Sequence, residues 1–173
     1  MSKRALKSYL HELTKEQLED QILDLYHRFK EVKTYYDFSF NPKEDKLITE
    51  AKFKISKEYF PPGKRRPKAR RSVAQKFFKH FIQIGMEAGL LADLMLYNIE
   101  VAQTFNAAKP QKAEAFYKSI ANSFEQALDF IRLHGLERGF SQRIENIIRE
   151  TEKQEWYTLE PFYRKLEERG WSG

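Results

Sequence analysis

The sequence predicts an all-α fold, and three observations carry that prediction. Apolar residues recur every three or four positions along most of the chain. Glycine and proline are few, 7 and 6 of 173 residues, and they fall mainly between the periodic stretches. Helix-capping signals stand at the starts of several of those stretches. The one β-like patch is residues 35–40, where Tyr36, Phe38 and Phe40 alternate with polar residues; it is too isolated to pair.

Taken in order, Leu6, Tyr9, Leu10 and Leu13 form a short amphipathic helix. Thr14 and Gln17 then make a capping box, in which the Thr hydroxyl satisfies a free backbone N–H. Leu18, Ile22, Leu25, Phe29, Val32 and Tyr36 continue as one apolar stripe, with a kink expected near Phe29. Asn41 and Pro42 start the next helix, with Glu44 as the capping acid and Ile48, Ala51, Ile55 and Tyr59 as its inner face. Pro61, Pro62 and Gly63 stop it. Ser72 and Gln75 open a helix with Val73, Phe77, Phe81 and Ile84 inward, closed by Gly85.

The next helix carries Leu91, Leu94, Asn98, Val101 and Phe105 and is apolar almost all round, which marks a central helix. Pro110 opens another, with Ala113, Phe116, Ile120, Phe124, Leu128 and Ile131 on one stripe and His134 and Gly135 at its end. A helix with Ile144, Ile147 and Ile148 follows. The last, with Leu159, Phe162, Tyr163 and Leu166, stops at Gly170. That makes about eight helices with short connections, which pack as antiparallel hairpins. An irregular α-solenoid-like (HEAT-like) array and an orthogonal helical bundle both satisfy the pattern. Units of about 40 residues approach a helical-repeat spacing, but no sequence pattern repeats.

A chain of this length fits a single domain, residues 1–173. With 14 Phe, 9 Tyr and 2 Trp it has the apolar material for a core. It has no cysteine, which excludes a thiol nucleophile and fits a reducing cytoplasm. No stretch approaches the roughly 18 apolar residues of a membrane span, and the start lacks the apolar run of a signal peptide. A cytoplasmic protein is expected.

Lys64, Arg65, Arg66, Lys68, Arg70 and Arg71 put six positive charges into eight residues, and the whole chain carries +6, so its net charge equals that of this one loop. Pro61, Pro62, Gly63 and Pro67 are expected to keep residues 61–71 extended and exposed. Clustered arginine suits phosphate, because a guanidinium binds oxyanions through two parallel hydrogen bonds. These six residues are therefore the candidate nucleic-acid or anion contact. The bland alternative is a solvated loop that balances the acidic C-terminal part, with Glu145, Glu150, Glu152, Glu155, Glu160, Glu167 and Glu168. A loop that hangs in solvent is dispensable for folding, so neutralising it should leave the fold intact.

Asp93, Tyr97 and Glu100 share one face of the most apolar helix, where acids are costly unless paired. They are a candidate polar pocket for a metal or a basic group; the alternative is a polar seam paired with lysine or arginine from neighbouring helices. Asn98 lies on the apolar stripe itself and is expected to tie two helices together. His11, His27, His80 and His134 are dispersed, with no metal-ligand spacing. No nucleophile-elbow, Walker or dinucleotide-binding motif occurs. No catalytic residue, metal or cofactor is assigned. The aromatic group Tyr26, Phe29, Tyr35, Tyr36, Phe38, Phe40, Phe53, Tyr59 and Phe60 is expected to be mostly core, with any exposed remainder forming a partner groove or a base-stacking platform.

The stretches ALKSYLHELTKEQLEDQILDLYHRFKEVKTYYDFSFNPKEDKL, KISKEYFPPGKRRPKARRSVAQKFFKHF and ADLMLYNIEVAQTF resemble an uncharacterised bacterial family, a domain of unknown function. The resemblance implies no activity, cofactor or site. The pair LHELTKEQLEDQILDLYHRF also resembles a SAP motif, a small DNA-binding helical hairpin, but lacks its glycine-bearing loop and basic second helix. The preferred functional expectation is a non-enzymatic helical module that binds a protein partner. Nucleic-acid binding through residues 64–71 is the second, and a small metal or acid-site protein around Asp93 and Glu100 the third.

Overall fold

A computed structural model describes residues 2–156 and 159–168. Among these residues there are nine helices and no strand. They are α1 (Lys3–His11), α2 (Lys15–Arg28), α3 (Lys30–Phe40), α4 (Glu44–Tyr59), α5 (Arg71–Ile84), α6 (Ala88–Ala108), α7 (Glu114–Leu133), α8 (Glu137–Lys153) and α9 (Leu159–Glu168). None is long and apolar enough to cross a membrane among the described residues. The chain divides into two compact units, Met1–Lys43 and Glu44–Gly173.

In the first unit the capping box forms as expected. Gln17 N–H donates to the Thr14 hydroxyl at 3.3 Å, and the Gln17 side chain accepts from Thr14 N–H at 2.9 Å. The long stripe is cut rather than kinked. Phe29 takes an extended conformation (φ −116°, ψ 116°), which ends α2 and starts α3. Residues 35–40 are therefore helical, with Tyr36 and Phe40 stacked at i, i+4 spacing. The Tyr26 hydroxyl donates to Asp37 at 2.7 Å, tying α2 to α3. The Gln21 amide donates to the Tyr9 hydroxyl at 2.7 Å, tying α1 to α2. None of these three helices buries a residue.

The second unit is built around α6, which packs on α4, α5, α7 and α8, while α9 packs on α7 and α8. More than half of the 21 residues of α6 are buried, including all five expected positions. At roughly 1.5–3 kcal/mol for each large side chain fully removed from water, this helix supplies much of the unit's apolar stabilisation. The inner face of α4 is also the expected one: Ile48, Ala51, Ile55 and Tyr59. Its start differs. Asn41 ends α3 instead of capping α4, and the Glu44 carboxylate accepts from Glu87 N–H at 2.8 Å, beside the start of α6.

One expected face is partly rotated, and another differs only near its start. On α5 the buried residues are Ala74, Phe78, Phe81 and Ile84, so Phe78 takes the place expected for Phe77. Phe77 lies at the edge with Lys54 Nζ 5.7 Å from its ring centre. Because α5 starts at Arg71 with no side-chain cap, the Ser72–Gln75 box does not form. Gly85 closes the helix at φ 76°, a left-handed conformation that favours glycine. On α7, Ile120, Phe124, Leu128 and Ile131 are buried as expected, but Tyr117 is buried in the place expected for Phe116, and Ala113 precedes the helix and is exposed. Trp156 packs edge-on against Tyr117 at 5.1 Å, and Phe124 stacks on Phe162 at 4.6 Å, which fastens α9 to α7. Gly170 and the Leu159 side chain lie outside the described residues.

Candidate functional site

Three places collect the functionally suggestive residues, and each has a different chemical character. The first is the N-terminal α2–α3 pair. Ile22, Leu23, Tyr26, Tyr36 and Phe40 line a largely apolar groove of 510 Å³, with Glu19 and Asp37 as its acidic members. Phe40 is 85% exposed. The hydrogen bond to Asp37 raises the Tyr26 hydroxyl above its ordinary pKa and holds both residues in place. Of the aromatic group expected in the core, only Tyr59 is buried; Phe29, Tyr35, Phe40, Phe53 and Phe60 are exposed, and Tyr26, Tyr36 and Phe38 are half-buried. Periodicity places these rings on shared faces, but in α2 and α3 no other helix of that unit covers the face.

The second place is the basic loop. The structure divides its six cations. Arg70 makes a two-pronged pair with Glu58, both bonds at 2.8 Å. Arg71 donates to the buried Ser123 hydroxyl at 2.9 Å and to Gln126 at 3.3 Å. Backbone N–H groups of Lys68 and Ala69 donate to the Glu58 carbonyl at 2.9 and 3.0 Å. The end of the loop is thus packed, not extended and free, because the carboxylate and last-turn carbonyl of α4 need donors. Lys64, Arg65, Arg66 and Lys68 are exposed and have no ion-pair partner among the described residues. Arg65, Arg66, Lys68 and Arg70 surround a hollow of 170 Å³ together with Lys57, Glu58 and Pro61. The hydrogen bond from Arg70 is the main reason that the Glu58 carboxyl lies below its ordinary pKa.

Lys57 belongs to this hollow but not to the basic run. Its sequence signal was its place in the last turn of α4, ahead of a Pro-Pro-Gly turn that brings the loop back beside the helix.

The third place is the half-buried trio Asp93, Tyr97 and Glu100. The structure brings the two acids together around one guanidinium. Arg143 of α8 forks onto Glu100 at 2.6 and 2.8 Å and donates a third bond to Asp93 at 2.5 Å. Lys52 of α4 reaches the other Asp93 oxygen at 2.6 Å, with its ammonium 5.3 Å from the Tyr97 ring centre. Burial pushes the Asp93 carboxyl up, but the bonds from Lys52 and Arg143 outweigh it and hold it below its ordinary pKa. The bonds to Glu100 do most to hold Arg143 charged. The basic group at this pocket is thus the chain's own, and the arrangement clamps α4, α6 and α8 together.

Among the described residues no cluster of three His, Asp or Glu side chains could hold a metal. All four histidines are exposed. Asn98 is buried, yet among the described residues its amide nitrogen has no hydrogen-bond partner, so it ties no described helices through that group. The buried polar tie is instead Gln103 of α6, which donates to Ile147 O at 2.7 Å and to Thr151 at 2.8 Å on α8.

The model of a family of unknown function, DUF6155, matches residues 1–169. The chain belongs to that family. Both compact units contribute to the match, so the groove, the basic hollow and the Arg143 clamp all lie within the family's span. No curated protein and no solved structure matches the chain.

Proposed function

We propose that this DUF6155 protein is a non-enzymatic helical module that binds a protein partner through the α2–α3 groove. One observation carries the reading: three amphipathic helices in the N-terminal unit bury no side chain. Helices of 9, 14 and 11 residues are marginal on their own. A contiguous apolar face of this kind is characteristic of a recognition surface. The shape suits an amphipathic partner helix that lays apolar side chains along Ile22, Leu23 and Phe40 and sets basic residues near Glu19 and Asp37. The cysteine-free composition is consistent with action in a reducing cytoplasm.

A photo-crosslinking side chain placed at Phe40 tests this in the full-length protein, with the same group at Phe53 of α4 as the control. The reading expects one defined adduct from Phe40, lost on Leu23→Glu, and no matching adduct from Phe53. Identical patterns from the two positions would refute it. A second copy as the partner would appear as a crosslinked dimer.

A second reading, nucleic-acid binding through residues 64–71, is supported by four cations, Lys64, Arg65, Arg66 and Lys68, that have no ion-pair partner among the described residues, with Phe60 44% exposed at the start of the loop. It expects affinity for single-stranded nucleic acid to fall steeply with salt. A salt-independent or absent gel shift overturns it.

A further inference from the structure

The basic loop is a narrower feature than its charge count suggests. Four cations, Lys57, Arg65, Arg66 and Lys68, surround one hollow, and the sole carboxylate in its wall, Glu58, is already engaged by the Arg70 fork. Gathering like charges is unfavourable unless an anion joins them. The loop nevertheless has fixed geometry there. Gly63 turns it at φ 69°, and Ala69 sits in the left-handed region at φ 47°. That conformation is strained for a residue with a side chain. It is held by the two backbone bonds to the Glu58 carbonyl and by the Arg70–Glu58 fork beside them. A site so braced needs little rearrangement to accept an anion.

We propose that this hollow binds a single terminal phosphate group, free or on a small phosphorylated molecule, held by Arg65, Arg66, Lys68 and Lys57. A phosphate dianion offers several terminal oxygens to two guanidinium forks and two ammonium groups. The compact volume, 170 Å³, fits one such group better than a continuous strand. Lys64 is as basic as its neighbours but does not line the hollow. It separates the two chemistries, because a nucleic-acid strand drawn along the loop would use Lys64, whereas a discrete phosphate site does not. The site shares no residue with the α2–α3 groove and stands or falls independently of the docking reading.

Titration calorimetry of the full-length protein at low ionic strength with inorganic phosphate, glycerol phosphate and a short oligothymidylate without terminal phosphates provides the test. The expected result is saturable one-to-one binding of phosphate or glycerol phosphate. Equal affinities point to free phosphate, and tighter glycerol phosphate to a phosphorylated small molecule. Arg65→Ser with Arg66→Ser should weaken binding by about tenfold or more, Lys57→Ser should weaken it less, and Lys64→Ser should leave it unchanged. Both arginines are exposed and have no ion-pair partner among the described residues, so unchanged thermal melts should show that the double variant is folded. Non-saturable phosphate binding, or equal affinity in the double variant, overturns the proposal. So does tighter oligothymidylate binding that Lys64→Ser weakens as much as Arg66→Ser, which assigns the loop to nucleic acid instead.

Discussion

Residues 2–43 and the α4–α9 unit use similar raw material, helices rich in aromatic and aliphatic side chains, and put it to opposite ends. In the α4–α9 unit the apolar faces meet: α6 lies among α4, α5, α7 and α8, and Leu94, Leu96 and Ile99 are fully buried. In the N-terminal unit the equivalent faces remain open, and Ile22, Leu23, Leu25, Phe29 and Phe40 are all exposed. The polar chemistry divides in the same way. Hydrogen bonds within the N-terminal unit are exposed, whereas the C-terminal unit contains buried bonds such as those of Gln103 to Ile147 and Thr151. An apolar stripe thus specifies a surface that favours cover without specifying what covers it.

The contrast is easiest to break by deleting side chains. Ile99→Ala should cost about 2–5 kcal/mol in urea denaturation, because it leaves a cavity in a close-packed core. Ile22→Ala should change stability by no more than about 0.5 kcal/mol. Equal losses would show that α2 belongs to a core after all. Arg143→Ala should cost about 1–2 kcal/mol, since it strands Glu100 and leaves Asp93 with Lys52 alone, both acids being only about one-third exposed. Arg143→Lys should cost less, because it keeps the charge and loses the fork.

The same clamp should be visible in the acid response. The folded pKa of Asp93 lies below its ordinary value. Its contribution is therefore present in full above the unfolded carboxylate range, near 3.9 for aspartate, and is lost as pH falls through the lower folded value. Thermal melts from about pH 6 down to about pH 3 should show this loss, and Arg143→Ala should flatten it. The smallest effects divide the basic loop. Arg70→Ser should lower the melting temperature slightly by breaking its fork on Glu58, and Arg65→Ser should leave it unchanged. A loop that is uniformly solvated would give no difference between the two. Neutralising all six cations together is therefore not the harmless change that a free loop would allow.

Much of the helix content was readable from local pattern. The α4 face from Ile48 to Tyr59, the central character of α6 and the Gly85 stop all follow from spacing within one helix, where the 3.6-residue period puts side chains on a common face. The misreadings came where that period is ambiguous or interrupted. Adjacent phenylalanines at positions 77 and 78 satisfy nearly the same helical phase, and only the packing of α5 buries Phe78 in preference. Residues 18–36 carry one unbroken stripe, yet Phe29 takes an extended conformation that breaks the helix in two, and Tyr26 of one half meets Asp37 of the other. The candidate sites were legible as residue types but not as partners. Asp93 and Glu100 are neighbours on a helical wheel, while the guanidinium between them arrives from 50 and 43 residues away in sequence.

The sequence by itself determined the helices, the absence of thiol chemistry and the concentration of net charge in residues 64–71, because each depends on composition or on contacts a few residues apart. Only the tertiary structure decided which apolar faces are covered, that Arg143 occupies the acidic pair, and that Arg70 and Arg71 of the basic loop are engaged by Glu58 and Ser123 while Arg65, Arg66 and Lys68 line a cationic hollow. Those outcomes depend on how separate helices dock, and docking energies arise between residues whose distance in the chain carries no local signal.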